Sequence, residues 1–190
     1  MTRRRDPVAA RLLPHVLEVL AVVAVFAAVG AGCGWLWFQV WPQPTGIVDQ
    51  HTWRVDEEAV RQVFDGTAWY VLLAALGGLL VGAGATLLGR RAPLLTLAAV
   101  IAGSLLASWL MLEVGLQLNP EDPAQLAKTA ADGTELRGRL SLEGGNSPYL
   151  AWPFGSLVAL MVVNFLLSSR EQARVREVSD PRWLSRNRPG

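Results

Sequence analysis

The chain has 190 residues, a hydrophobic share of 52%, a formal net charge of +1 and one cysteine. One thiol excludes an internal disulfide, and with only His15 and His51 the usual three or four His/Cys ligands of a zinc site cannot be assembled. No nucleic-acid-binding module is present, and the apolar residues are gathered in blocks instead of recurring at helical or strand period, which separates the chain from a soluble core.

Residues 1–15 are a basic tail carrying Arg3, Arg4, Arg5 and Arg11. The first apolar block is 16–41, interrupted only by Glu18 and closed by Pro42 and Pro44; the second, 68–89, carries no charge. After a charged turn at 90–92, Pro93 opens the third block, 93–116, at the first helical position, where its missing N–H costs nothing. The fourth block is 149–167, with Asn164 near its end, followed by the tail 168–190. Each block is close to the roughly 20 residues that a helix needs to cross a hydrocarbon core of about 30 Å. A backbone in lipid must satisfy its own hydrogen bonds, so these runs read as helices. The fold class expected is therefore all-α transmembrane: a four-helix membrane bundle, with the second and third helices as an antiparallel hairpin. Trp35, Trp37, Trp41, Trp69, Tyr70, Trp109, Tyr149 and Trp152 all fall at the same end of alternating helices and read as an aromatic interfacial belt.

The two long loops, 42–67 and 117–148, are expected to form a small extracytoplasmic cap. In the first, Ile47-Val48 and Trp53-Arg54-Val55 flank Asp49-Gln50-His51-Thr52 as a hairpin would, and a short helix is expected from Asp56. In the second, a short helix is expected over 123–131, and Leu136, Leu140 and Leu142 alternate as in a strand. Orientation follows from the basic residues: twelve of the seventeen lie in the tails and the short turn, and the long loops are each net acidic. Both termini are accordingly placed in the cytoplasm of a multi-pass plasma-membrane protein.

Small residues recur four apart at Gly30 and Gly34, Gly78 and Gly82, and Ser104 and Ser108. In lipid such pairs allow close backbone approach, either inside the bundle or toward a homodimer or membrane-protein partner. Gly30-Ala31-Gly32-Cys33 has the small residues of a lipidation site, but the apolar run continues to Trp41, where a cleavable segment would have ended. A small thiol in a helix interface is the preferred reading.

Ionisable residues inside a span are functional candidates. Glu18 lies about one turn from the cytoplasmic end, within reach of water or Arg11. Glu113 sits deeper in the third block; binding a cation, carrying a proton and anchoring the cap are the readings open to it, and pairing with Arg54, Arg61, Arg137 or Arg139 is the preferred one. Asn164 reads as interhelical hydrogen-bonding glue. His51 has no nucleophile or acid at a recognisable spacing, and Asp56-Glu57-Glu58 lacks the spaced ligands of a calcium loop. No catalytic, cofactor or metal residue is assigned; membrane lipid is the partner implied directly, and nucleic acid is not a partner.

With Gly34-Trp35-Leu36-Trp37, Phe64-Asp65-Gly66-Thr67-Ala68-Trp69-Tyr70-Val71, Gly89-Arg90-Arg91 and Leu150-Ala151-Trp152-Pro153, most of the chain resembles the small four-span membrane proteins of high-GC actinobacteria. The resemblance implies a plasma membrane with the loops on the cell-wall side. It brings no activity and no catalytic residues. Three functions follow in order: an accessory or structural subunit of an envelope complex, a small transporter or channel component, and an enzyme acting on lipid or cell-wall precursors through His51, Glu113 and loop carboxylates. Transport is disfavoured by the lack of converging midplane polar groups and of a clear repeat.

Overall fold

The computed structural model describes residues 7–89, 93–145 and 147–178. The first residues of the basic tail, the charged turn at 90–92, Asn146 and the end of the C-terminal tail lie outside the described residues. In chain order the elements are α1 (Pro7–Val40), β1 (Thr45–Asp49), β2 (Thr52–Arg54), α2 (Glu57–Leu88), α3 (Pro93–Gln117), α4 (Pro123–Leu126), β3 (Glu135–Arg137), a 3₁₀ turn at Pro148–Leu150, and α5 (Ala151–Val178). Among the described residues four segments are helical, long and apolar enough to cross a membrane: His15–Val40, Glu57–Leu88, Pro93–Gln117 and Pro148–Arg170.

The helices outrun the apolar blocks. α2 starts at Glu57 because the Asp56 carboxylate accepts the Ala59 backbone N–H at 2.8 Å and two acids occupy the first turn. From there it runs 32 residues without a break, about 48 Å at 1.5 Å per residue. The short helix expected from Asp56 and the second span are thus one helix. Arg61, Gln62 and Asp65 interrupt the hydropathy of α2, not its backbone.

α2 and α3 run antiparallel, with Tyr70 bonded to Ser108 and Thr96 to Gly89, but they are not each other's main packing partners. α1 packs mainly on α3 and α2 mainly on α5, whereas α2 and α3 touch only lightly. Gly30 lies against Ala107 and Gly34 against Met111, and Gly78 and Gly82 lie against Trp152 and Ser156. Residue numbers rise together in both sets, so each close pair is parallel. At Gly34 a Cβ would run into the backbone of Met111, and at Gly82 into that of Ser156. These glycines set the interhelical distance, and dispersion between the closely approaching backbones holds each pair.

The end opposite the α2–α3 turn, the loop end, carries a three-stranded antiparallel sheet in the order β2-β1-β3, which an all-α description leaves out. Gln50 and His51, at φ 48° and 60°, make the two-residue turn that matches strand twist between β1 and β2. β3 comes from the second loop, with Gly46 opposite Leu136. The Gly138 N–H donates to the Pro44 carbonyl at 2.7 Å and the Gly133 N–H to the Val48 carbonyl at 2.8 Å, so the two loops form one unit. The second-loop elements are shorter than expected: the helix covers four residues and β3 three.

Candidate functional site

The large buried side chains Phe26, Trp37, Trp41, Tyr70, Met111 and Trp152 form one core cluster, which Leu140 from the second loop joins. Four of the aromatics expected in an interfacial belt are buried instead: Trp37, Trp41, Tyr70 and Trp152, leaving Trp35, Trp69 and Trp109 facing outward. The physical reason is that each buried ring has a partner for its polar atom. Trp37 Nε1–H donates to the Gly66 carbonyl at 2.6 Å, Trp41 Nε1–H to the Gln62 carbonyl at 2.8 Å, and Trp152 Nε1–H reaches Met111 Sδ at 3.2 Å.

Tyr70 is the polar centre of this cluster. Its hydroxyl is 2.9 Å from both the backbone carbonyl and the Oγ of Ser108. Ser108 Oγ donates its one proton to the Tyr149 carbonyl at 2.8 Å, so Tyr70 is the donor toward Ser108. The chain of bonds joins α2, α3 and the 3₁₀ turn that leads into α5. Both hydroxyls in it have an acceptor, and both Tyr70 and Ser108 are closed to solvent. This is a tie between helices, with no open position for a substrate.

The charged and polar candidates stand apart from one another. Glu113 is half-buried and accepts a hydrogen bond from Gln117 Nε2 at 2.9 Å, one turn along its own helix. The expected pairing with an arginine is not made; the ion pair found among the described residues is Arg54 with Asp49, 2.9 Å, both largely exposed. His51 is exposed at the β1–β2 turn, where its backbone N–H meets Asp132 Oδ1 at 3.4 Å. Glu18, half-buried, lines a narrow crevice with His15 and Thr96. Asn164, expected to bond between helices, donates its Nδ2–H to the Leu160 carbonyl of its own helix at 2.8 Å. Ser104 likewise bonds back to the Ile101 carbonyl at 3.0 Å. Among the described residues no group of three His, Cys, Asp or Glu side chains converges on a metal position.

Two features were not legible in the sequence. Asn119 clamps the second loop: its Oδ1 accepts the Leu140 N–H at 2.7 Å and its Nδ2 donates to the Leu140 carbonyl at 2.9 Å, imitating a strand partner. Trp53 lies across Gly46, and its Nε1 is a buried side-chain donor with no partner among the described residues. An asparagine just past an apolar helix is the only hint of the first. For the second, a glycine two residues before the strand position that pairs with the tryptophan is the available signal.

Fold and site together define a mostly helical protein with four helices fit to cross a membrane, a folded two-loop cap, and an interior with no buried charged side chain among the described residues. A scan of family models and searches of curated proteins and of solved structures returned no match.

Proposed function

We propose that this chain is a plasma-membrane protein that crosses four times, keeps both termini in the cytoplasm, and serves as a structural or accessory subunit whose extracytoplasmic cap binds another envelope protein. Crossing is supported by the exposed apolar surface: Leu80, Met161 and Phe165 are each at least 70% exposed, as lipid-facing side chains must be when no membrane surrounds them. Orientation is supported by the concentration of arginine in the tails and the short turn. The actinobacterial setting rests on the sequence resemblance alone.

One observation carries the interaction role. The loops form a single sheet whose exposed face has Ile47, 56% exposed, at its centre, between Arg54 on one strand and Glu135 on the other. An apolar residue ringed by charge on a rigid platform is the arrangement of a protein contact. A transporter or an enzyme calls for polar groups converging in the spans, and the buried polar side chains among the described residues there are Thr86, Ser104, Ser108 and Ser156, spread over three helices.

A photo-crosslinking amino acid placed at Ile47 in the native membrane tests this. One stoichiometric adduct with another envelope protein is expected from position 47 and none from lipid-facing Leu80. A chain that gives no adduct at Ile47, and that purifies alone in gentle detergent, contradicts the accessory role.

A further inference from the structure

We propose that the free edge of β3 pairs antiparallel with the same edge of a second copy of this chain, joining two caps into one continuous sheet. The inference goes beyond the accessory role: Ile47 stays on the outer face of the joined sheet, and its proposed contact neither needs nor excludes a second copy.

β3 is an edge strand, with β1 on one side of it only. The ladder fixes which of its backbone groups are already used. Val48 N–H donates to the Thr134 carbonyl at 2.9 Å and Gly138 N–H to the Pro44 carbonyl at 2.7 Å, with Gly46 opposite Leu136 between them. Hydrogen-bonded pairs alternate along an antiparallel ladder. Leu136 therefore turns its N–H and C=O toward β1, and Glu135 and Arg137 turn theirs away. Among the described residues no loop backbone group bonds to Glu135 or Arg137. Unpaired backbone groups along an exposed strand are a template for another strand.

Side-chain charge selects the partner and the register. Glu135 and Arg137 are both exposed, and neither has an ion-pair partner among the described residues. Pairing β3 with itself about Glu135 sets acid opposite acid, and pairing it about Arg137 sets base opposite base. Like charges directly opposite are destabilising. About Leu136, each Glu135 stands opposite Arg137 of the second copy, and opposite charges at that position are favourable. In the same register those two residues exchange both N–H···O bonds, because their backbone groups are the ones that point outward. The other edge lacks this complement. Arg54 of β2 is already held by Asp49 at 2.9 Å, and α4 packs against that strand. The pairing uses the same patch on both copies, so it closes at a dimer.

Oxidative crosslinking of the full chain in its native membrane reads the register. With Cys33→Ala removing the native thiol, Leu136→Cys places two thiols at a non-hydrogen-bonded antiparallel pair. Cα atoms there stand about 4.5 Å apart, inside the range of about 4.4–6.8 Å that a disulfide spans. Copper phenanthroline, which takes up the electrons as the thiols couple, is expected to give a product of twice the chain mass from Leu136→Cys and none from Thr52→Cys on the opposite edge strand. Adding Glu135→Arg or Arg137→Glu alone sets like charges opposite one another and is expected to lower the yield roughly tenfold; the two swaps together should restore it. Should Leu136→Cys, at a half-buried position, fail to fold, native mass spectrometry of the wild-type chain and its charge swaps decides alone. A dimer lost in each single swap and regained in the double swap is the expected result there. No crosslinked dimer from Leu136→Cys, an equal yield from Thr52→Cys, or single swaps that dimerise as well as the wild-type pair would overturn the proposal. The dimer is read between copies of this chain and the Ile47 adduct on a different protein, so the two readings fail separately.

Discussion

Asn119 holds the second loop by two hydrogen bonds to the backbone of one residue, Leu140, whose side chain is buried in the core. Asn119→Ala leaves both groups of Leu140 unpaired and is expected to cost about 2 kcal/mol. The measurement is amide exchange: the Leu140 N–H should exchange faster, while amides in the middle of α3 keep their protection. Unchanged exchange at Leu140 would show that the clamp does not hold the loop. The glycines give a paired test. Gly34→Leu drives a side chain into the Met111 backbone and is expected to destabilise by about 3 kcal/mol. Gly84, by contrast, has open space where a Cβ would stand, so Gly84→Ala should be neutral or stabilise by up to about 1 kcal/mol. Reversible unfolding in mixed micelles separates the two. A similar loss at both positions would mean that helix propensity, not close approach, governs these sites. At this scale the sequence was partly legible. Spacing points to Gly30, Gly34, Gly78 and Gly82 as positions of close approach, but nothing in it reveals that Tyr70 and Ser108, 38 residues apart, are joined by a hydrogen bond.

Helix ends are decided by caps, and this is where hydropathy misleads. α2 continues through Gln62 and Asp65 because, outside an apolar run, a helix needs only its own backbone bonds and the Asp56 cap. Asp56→Ala is expected to cost about 1 kcal/mol and to release the Ala59 amide to fast exchange, leaving the bundle assembled. If Ala59 stays protected, the helix start is fixed by packing of the cap instead. The four apolar blocks are enough to locate four long apolar helices, since that inference needs only composition and length. Which helix pairs with which is not accessible from short connections: only residues 89–92 separate α2 from α3 in sequence, yet their small residues face α5 and α1. The buried tryptophans escape a sequence reading for a related reason. A ring near a helix end suits an interface or a core equally well, and the deciding factor is a carbonyl on another helix, such as Gly66 for Trp37.

For the whole molecule, the loops and the bundle interior point the same way. The interior is closed by aromatics and small residues, its buried polar side chains bond to backbone or to one another, and the exposed polar chemistry lies at the two ends. Both loops must share one side of any membrane the chain crosses for their strands to form one sheet, and the proposed contact of the cap depends on that topology. It is tested most directly by cysteine labelling in intact cells, in a Cys33→Ala background, with a membrane-impermeant maleimide. The single variants His51→Cys and Lys128→Cys are predicted to label from outside, and Ser169→Cys only after the membrane is opened. Labelling of position 169 in intact cells, or of 51 and 128 from opposite sides, would contradict the account.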